Sequence, residues 1–205
     1  MKSTHLAGVS FGATVIALSG FAWLAQPKPA EAAGAEAKPG QVAAADKIAR
    51  GKYLVTIAAC NDCHTPLKMG PTGPEPDMTR MLSGHPEMME LPPAPTLPPG
   101  PWLVSVAATN TAWSGPWGVS YTANLTPDPE TGLGKWTLRD FTATIRSGRH
   151  MGRGRAILPP MPIPMYKNFT DEDMEAVFSY LQSIPAVKNR VPEPLPPVAA
   201  TASMQ

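Results

Sequence analysis

Apolar residues recur with helical spacing in three stretches of this chain and lose any sustained period between them. In "ADKIARGKYLVTIAACNDCH", Ile48, Tyr53, Leu54 and Ile57 form an imperfect apolar stripe, which predicts a helix from Ala44 through the cysteines. Gly51 lies inside that stripe. Glycine lowers helix stability, so its presence there suggests the close approach of a second helix. In "TLRDFTATIRSG", Leu138, Phe141 and Ile145 share a face. Thr137 suits the N-cap, Asp140 the third helical position and Gly148 the residue after the C-cap. The third stretch is "TDEDMEAVFSYLQSI", with Met174, Val177, Phe178 and Leu181 at i, i+3, i+4 and i+7. Thr170 caps it, acidic residues suit its first turn, and Pro185 ends it.

Residues 66–120 place proline or glycine at short intervals and predict a long irregular insertion, with one short strand in "WLVSVAATN". Loops of that length in a domain wrap something or carry function. Residues 191–205 read as a loose tail, and no internal repeat is visible. The sum is a mainly α domain spanning 44–190 whose apolar core is thin for its length. A large apolar cofactor would make up the shortage.

Two further features bound the setting. Lys plus Arg number 17 and Asp plus Glu 16, so no global charge draws the chain to nucleic acid. "LAGVSFGATVIALSGFAWLA", residues 6–25, follows Lys2 and His5 and precedes an Ala30-Glu31-Ala32 cleavage pattern. Residues 1–32 are therefore expected to be a signal peptide or an N-terminal membrane anchor, the apolar run being long enough to span a bilayer. Residues 33–43 read as a flexible linker. Either way the domain is expected outside the cytoplasm.

The chain has two cysteines, both in "CNDCHTP", residues 60–66. A disulfide there would close too small a loop to constrain the unfolded chain much. A thioredoxin-like dithiol needs a βαβ setting that the pattern lacks. Zinc needs four ligands, and Cys60, Cys63 and His64 leave it short. Cys-x-x-Cys-His is instead the attachment signature of haem c. On a helical turn Cys60 and Cys63 fall on one face and reach the two vinyl groups of a porphyrin, while His64 turns toward the iron. The opposite ligand in electron-transfer cytochromes is commonly a methionine. Of eleven methionines, Met161 in "LPPMPIP" is held by flanking prolines that stiffen its strap. Met165 and Met151 are the alternatives.

The segments "GKYL…CNDCHTP", "YTANLTPDPETGLGKWT", "LPPMPIPMY" and "TDEDMEAVFSYLQSIP" together resemble the mono-haem class I cytochrome c family. The nearer likeness is to bacterial periplasmic cytochromes related to the cytochrome c subunits of membrane-bound alcohol and sugar dehydrogenases. The resemblance covers about residues 44–190. It implies a cytochrome c-like fold of three to four helices around one haem, with Cys60 and Cys63 as thioether anchors, His64 as proximal ligand and Met161 as distal ligand. It implies a crossing of Gly51 and Tyr53 with the last helix near Tyr180, and a periplasmic location. Trp136 and Asn124 lie in the family-like segment, and their N–H groups are candidate donors to a haem propionate. The spacing of His64 and Met161 is wider than in small class I cytochromes, and one haem motif stands where the dehydrogenase subunits carry three.

Two secondary features stand beside the motif. "RSGRHMGRGR", residues 146–155, is a basic turn suited to a propionate or an acidic partner, or is a solvated turn. "MTRMLSGHPEMME" clusters Met78, Met81, His85, Met88 and Met89, whose thioethers and imidazole suit copper(I) but lack regular spacing, so a flexible apolar flap fits better. The expected function is single-electron transfer through one covalent haem c, exchanged with redox partner proteins, with no nucleic acid involved. The competing readings are a five-coordinate haem enzyme or sensor and a haem subunit of a dehydrogenase complex.

Overall fold

The computed structural model describes residues 39–98 and 100–197. The expected signal or anchor, 1–32, lies outside the described residues, as do 33–38 of the linker. Helix α1 begins at Pro39 and runs to Ile57, so the last five residues of the expected linker are helical. The helix predicted through the cysteines is not continuous. Ala59 adopts a left-handed backbone, φ 57, and a separate short helix, α2, spans Cys60–His64. The insertion is not irregular throughout. Strands β1 (Leu67–Gly70) and β2 (Gly73–Pro76) form an antiparallel hairpin with Leu67 opposite Pro76. Strands β3 (Ser105–Val106), β4 (Ala112–Gly115) and β5 (Gly118–Tyr121) form a second antiparallel sheet in that order. The strand expected within 102–110 is β3.

Helix α3 spans Leu138–Ser147, α4 Ile163–Tyr166 and α5 Asp171–Ser183. The N-terminus of α3 carries the capping box that its sequence predicts. Thr137 Oγ1 accepts from Asp140 N, and the Asp140 carboxylate accepts from Thr137 N. Gly148 ends it with φ 66. Thr170 caps α5 through Asp173 N. Among the described residues no helix is long and apolar enough to cross a membrane.

The core forms where α1 crosses α5. A Cβ on Gly51 would lie 1.9 Å from the Ala176 carbonyl oxygen and 2.7 Å from Tyr180 Cβ, so only glycine allows this approach. Leu54 and Val55 of α1 pack with Met174, Val177 and Leu181 of α5, and Phe141 and Ile145 of α3 complete the cluster. Phe141 and Phe178 meet with ring centroids 5.5 Å apart. Tyr53, expected in the crossing, is 53% exposed and lies beneath the Arg50 guanidinium instead. Its position follows from helical geometry, since Gly51 and Leu54 occupy the buried face and Tyr53 the adjacent outer one.

The segment after α5 is not loose up to residue 197. Leu195 and Val119 exchange both backbone hydrogen bonds, at 2.9 and 3.0 Å, so the segment pairs with β5. Further back, Asn189 is 1% exposed and fully engaged. Its Oδ1 accepts from Arg80 Nη2 and Glu87 N, and its Nδ2 donates to the carbonyls of Ser83 and His85. This buried amide ties residues 80–87 to the C-terminal segment.

Candidate functional site

The turn at Ala59 reorients the chain so that α2 starts afresh, and Tyr166 of α4 donates its hydroxyl to the carbonyl of Ala58 at that break. Burial pushes the Tyr166 phenol up to about 12, so it remains a donor. The far end of α2 is held by the loop behind it. Thr65 Oγ1 accepts from Leu82 N at 2.9 Å, and Gly84 N donates to the His64 carbonyl at 2.8 Å. Gly84 has φ 79, and a Cβ there would meet the Thr122 carbonyl oxygen at 2.4 Å. Glycine is required at this contact.

Cys60, Cys63 and His64 all line one cavity of about 500 Å³, within the range usual for small-molecule and cofactor sites. The two cysteines are free thiols. Burial pushes the Cys60 thiol up to about 11, and burial together with Asp62 raises Cys63. Neither is an activated thiolate of the kind a dithiol redox enzyme uses. The His64 side chain is buried, and its Nδ1 donates to the carbonyl of Ala123 at 2.7 Å. That bond fixes the ring and leaves Nε2 as the lone-pair nitrogen. Burial lowers the His64 pKa, against the opposing pull of the Ala123 bond, and favours the neutral imidazole, the form able to bind a metal.

A strap of residues 157–162 supplies another part of the lining. Ile157 N donates to the Gly148 carbonyl at 2.8 Å, and Ser120 Oγ donates to the Pro159 carbonyl at 2.6 Å. Met161 follows, half-buried, packed on the core cluster and lining the same cavity. Its competitors lie elsewhere. Met165 on α4 is 70% exposed, and Met151 lines a separate, open depression beside Thr137 and Arg153. Leu125, Leu133, Phe141, Ile145, Ile157 and Ile163 give the cavity its apolar walls.

Basic groups reach the cavity from two segments, and the acids Glu130 and Glu193 line it as well. His150 and Arg155 come from the basic turn, and Arg190 from the C-terminal segment. Arg155 also pairs with Glu193 at 3.3 Å. Trp136 lines the cavity and packs edge-on against His150, centroids 5.2 Å apart. Asn124, expected to donate to a propionate, is committed inside the protein. Its Nδ2 donates to Thr131 Oγ1 and the Val187 carbonyl, and its Oδ1 accepts from Thr126 N and Oγ1. Asn124 therefore shapes the wall next to Ala123 and has no free donor to offer. The Met78–Met89 segment is not a metal cluster either. His85 is fully buried with Nδ1 on Thr111 and Nε2 on the Met89 carbonyl, while Met88 is 92% exposed.

Sequence reasoning missed Ala123, Tyr166 and Arg190. Ala123 acts through its carbonyl, which no side-chain pattern reveals. Arg190 sits at the boundary of what read as a loose tail.

No protein-family model matches this sequence. Over 187 residues, 88% of this chain and 30% of the relative, it is 28% identical to the fructose dehydrogenase cytochrome subunit of Gluconobacter japonicus. It is also 28% identical over 149 residues, 71% of the chain and 24% of the relative, to the cytochrome c subunit of the quinone-dependent alcohol dehydrogenase of Gluconobacter oxydans. The cytochrome c subunit of the gluconate 2-dehydrogenase of Pantoea cypripedii is 40% identical over 65 residues, 32% of the chain and 14% of the relative. The chain thus spans less than a third of the length of these relatives. The structure thus brings two thiols and an oriented imidazole to one cavity, and over most of its length the chain is similar to named cytochrome subunits of dehydrogenases.

Proposed function

We propose that the protein is a c-type cytochrome that carries single electrons through one covalently attached haem, in a cytochrome c-like fold. The observation that carries this is the placement of Cys60, Cys63 and His64 on one wall of one cavity, with His64 Nδ1 tied to Ala123. The donor set fits the group: two neutral thiols for thioether bonds, a neutral imidazole, the Met161 thioether in the same cavity and an apolar lining. Cys60 and Cys63 would hold the porphyrin, and His64 and Met161 would supply the protein ligands to its iron. When bound, the haem supplies a one-electron Fe(III)/Fe(II) couple, and methionine ligation and burial favour its reduced form. Arg155, Arg190 and Trp136 are the candidates for the propionate edge.

With both His64 and Met161 bound to the iron, the protein would offer no open position for peroxide or oxygen, which separates this reading from a five-coordinate haem enzyme or sensor. The relatives are named as cytochrome subunits of fructose and alcohol dehydrogenases, which supports electron exchange with a dehydrogenase as donor. Residues 6–25 support export to the periplasm, as a cleaved signal or a retained tether. The test is the optical spectrum of protein made in a host that matures c-type cytochromes. A weak far-red band lost in Met161→Ala and kept in Met165→Ala supports the reading. A five-coordinate high-spin spectrum in the unmodified protein, or a mature mass with no haem added, overturns it.

A further inference from the structure

From Leu91 to Pro127 the sequence contains no Lys, Arg, Asp, Glu or His. Prolines at 92, 95, 98 and 101 recur every third residue, the repeat of a polyproline II helix. Among the described residues from 90 to 104 no backbone hydrogen bond forms, as an extended proline-rich arm requires. At its end three consecutive apolar residues face solvent: Trp102 is 77% exposed, Leu103 65% and Val104 40%. Val106 on β3 adds a fourth, at 50%. Single exposed apolar side chains are ordinary, but a contiguous uncharged group of them marks a contact surface.

We propose that this arm docks on the surface of a lipid bilayer, with Trp102, Leu103 and Val104 at the interface. Three observations favour lipid. The prolines remove backbone donors that a membrane would leave unsatisfied. Tryptophan is favoured where hydrocarbon meets headgroups. The apolar run 6–25 is long enough to span a bilayer, and only residues 26–38 separate it from α1. With that run retained as an anchor, the connection, fully extended, reaches at most about 45 Å and holds the domain beside the membrane. Because the arm carries no charge, binding needs no anionic lipid and does not respond to salt. The inference does not depend on the haem.

The test uses the full chain with the photoreactive residue p-benzoylphenylalanine in place of Trp102, reconstituted with phosphatidylcholine vesicles and irradiated. Met69, 77% exposed on β1, is the control position. A lipid adduct at position 102 at least about tenfold above that at 69, unchanged between roughly 0.1 and 1 M salt, supports docking. Adding Leu103→Asp and Val104→Asp should lower it about tenfold and leave the visible spectrum of the protein unchanged. Equal yields at the two positions, a yield that falls with salt, or a cross-link to a second copy of the chain in place of lipid overturns it.

Discussion

Gly51→Ala sets helix propensity against packing, and the two give opposite signs. On an isolated helix the change stabilises by about 1 kcal/mol. Here the added Cβ falls 1.9 Å from the Ala176 carbonyl oxygen and 2.6 Å from its carbon, both backbone atoms of α5 that no rotamer change can move. Reaching ordinary contact, at 3.4 Å or beyond, requires α1 and α5 to separate. A gap of even 0.5–1 Å forfeits roughly a quarter to a half of each dispersion contact across the interface. Leu54, Val55, Met174, Val177 and Leu181 all lie at that interface. Overpacking of this kind costs about 1–3 kcal/mol, and a contact with rigid backbone lies at the upper end. A net loss of about 2 kcal/mol lowers the melting temperature of a chain this size by roughly 4–8 °C. Thermal unfolding followed by far-ultraviolet circular dichroism measures it. An unchanged or raised midpoint would refute the close crossing, because propensity alone would then be acting.

Other perturbations test separate parts of the structure. Asn189→Ala removes four hydrogen bonds, two of them fully buried, and strands the Ser83 and His85 carbonyls, so urea unfolding should show a loss of about 3 kcal/mol. Thr137→Ala deletes the α3 cap and should cost about 1 kcal/mol by the same assay, with Thr137→Asp restoring most of it. Burial lowers the His85 pKa below 6.5, against the pull of the Met89 carbonyl, so between the folded and unfolded values the unfolded chain binds the extra proton. Stability is then full above about pH 6.5 and falls as pH drops below it. Urea midpoints across that range should flatten in His85→Gln relative to the unmodified protein. Met161→Ala should abolish the far-red absorption, and Met165→Ala, altering a largely exposed side chain, should leave it intact.

Local signals were legible wherever neighbouring residues alone decide conformation. The capping box of α3, the Thr170 cap of α5 and the apolar faces of both helices follow from sequence because a side chain and its own backbone within three or four positions settle them. Gly51 also announced a helix crossing, since little else explains a glycine in that stripe. The failures lie where distant chain decides. Nothing near Ala59 signals a break, and the left-handed turn is supported by Tyr166, which bonds the Ala58 carbonyl from 108 positions away. Asn124 looked like a free donor because its partners at Thr131 and Val187 are not readable from its surroundings. The tail looked loose because its order comes from pairing with β5.

The sequence by itself determined the motif: the C-x-x-C-H spacing puts Cys60, Cys63 and His64 within one helical turn of each other. Only the tertiary structure decided which methionine shares that cavity, which ring nitrogen of His64 is committed and which polar groups remain at the rim. The physical reason is range. Covalent connectivity fixes neighbours within a turn of helix, whereas Met161, Ala123 and Arg190 arrive from far along the chain through packing and backbone hydrogen bonds that no local pattern encodes.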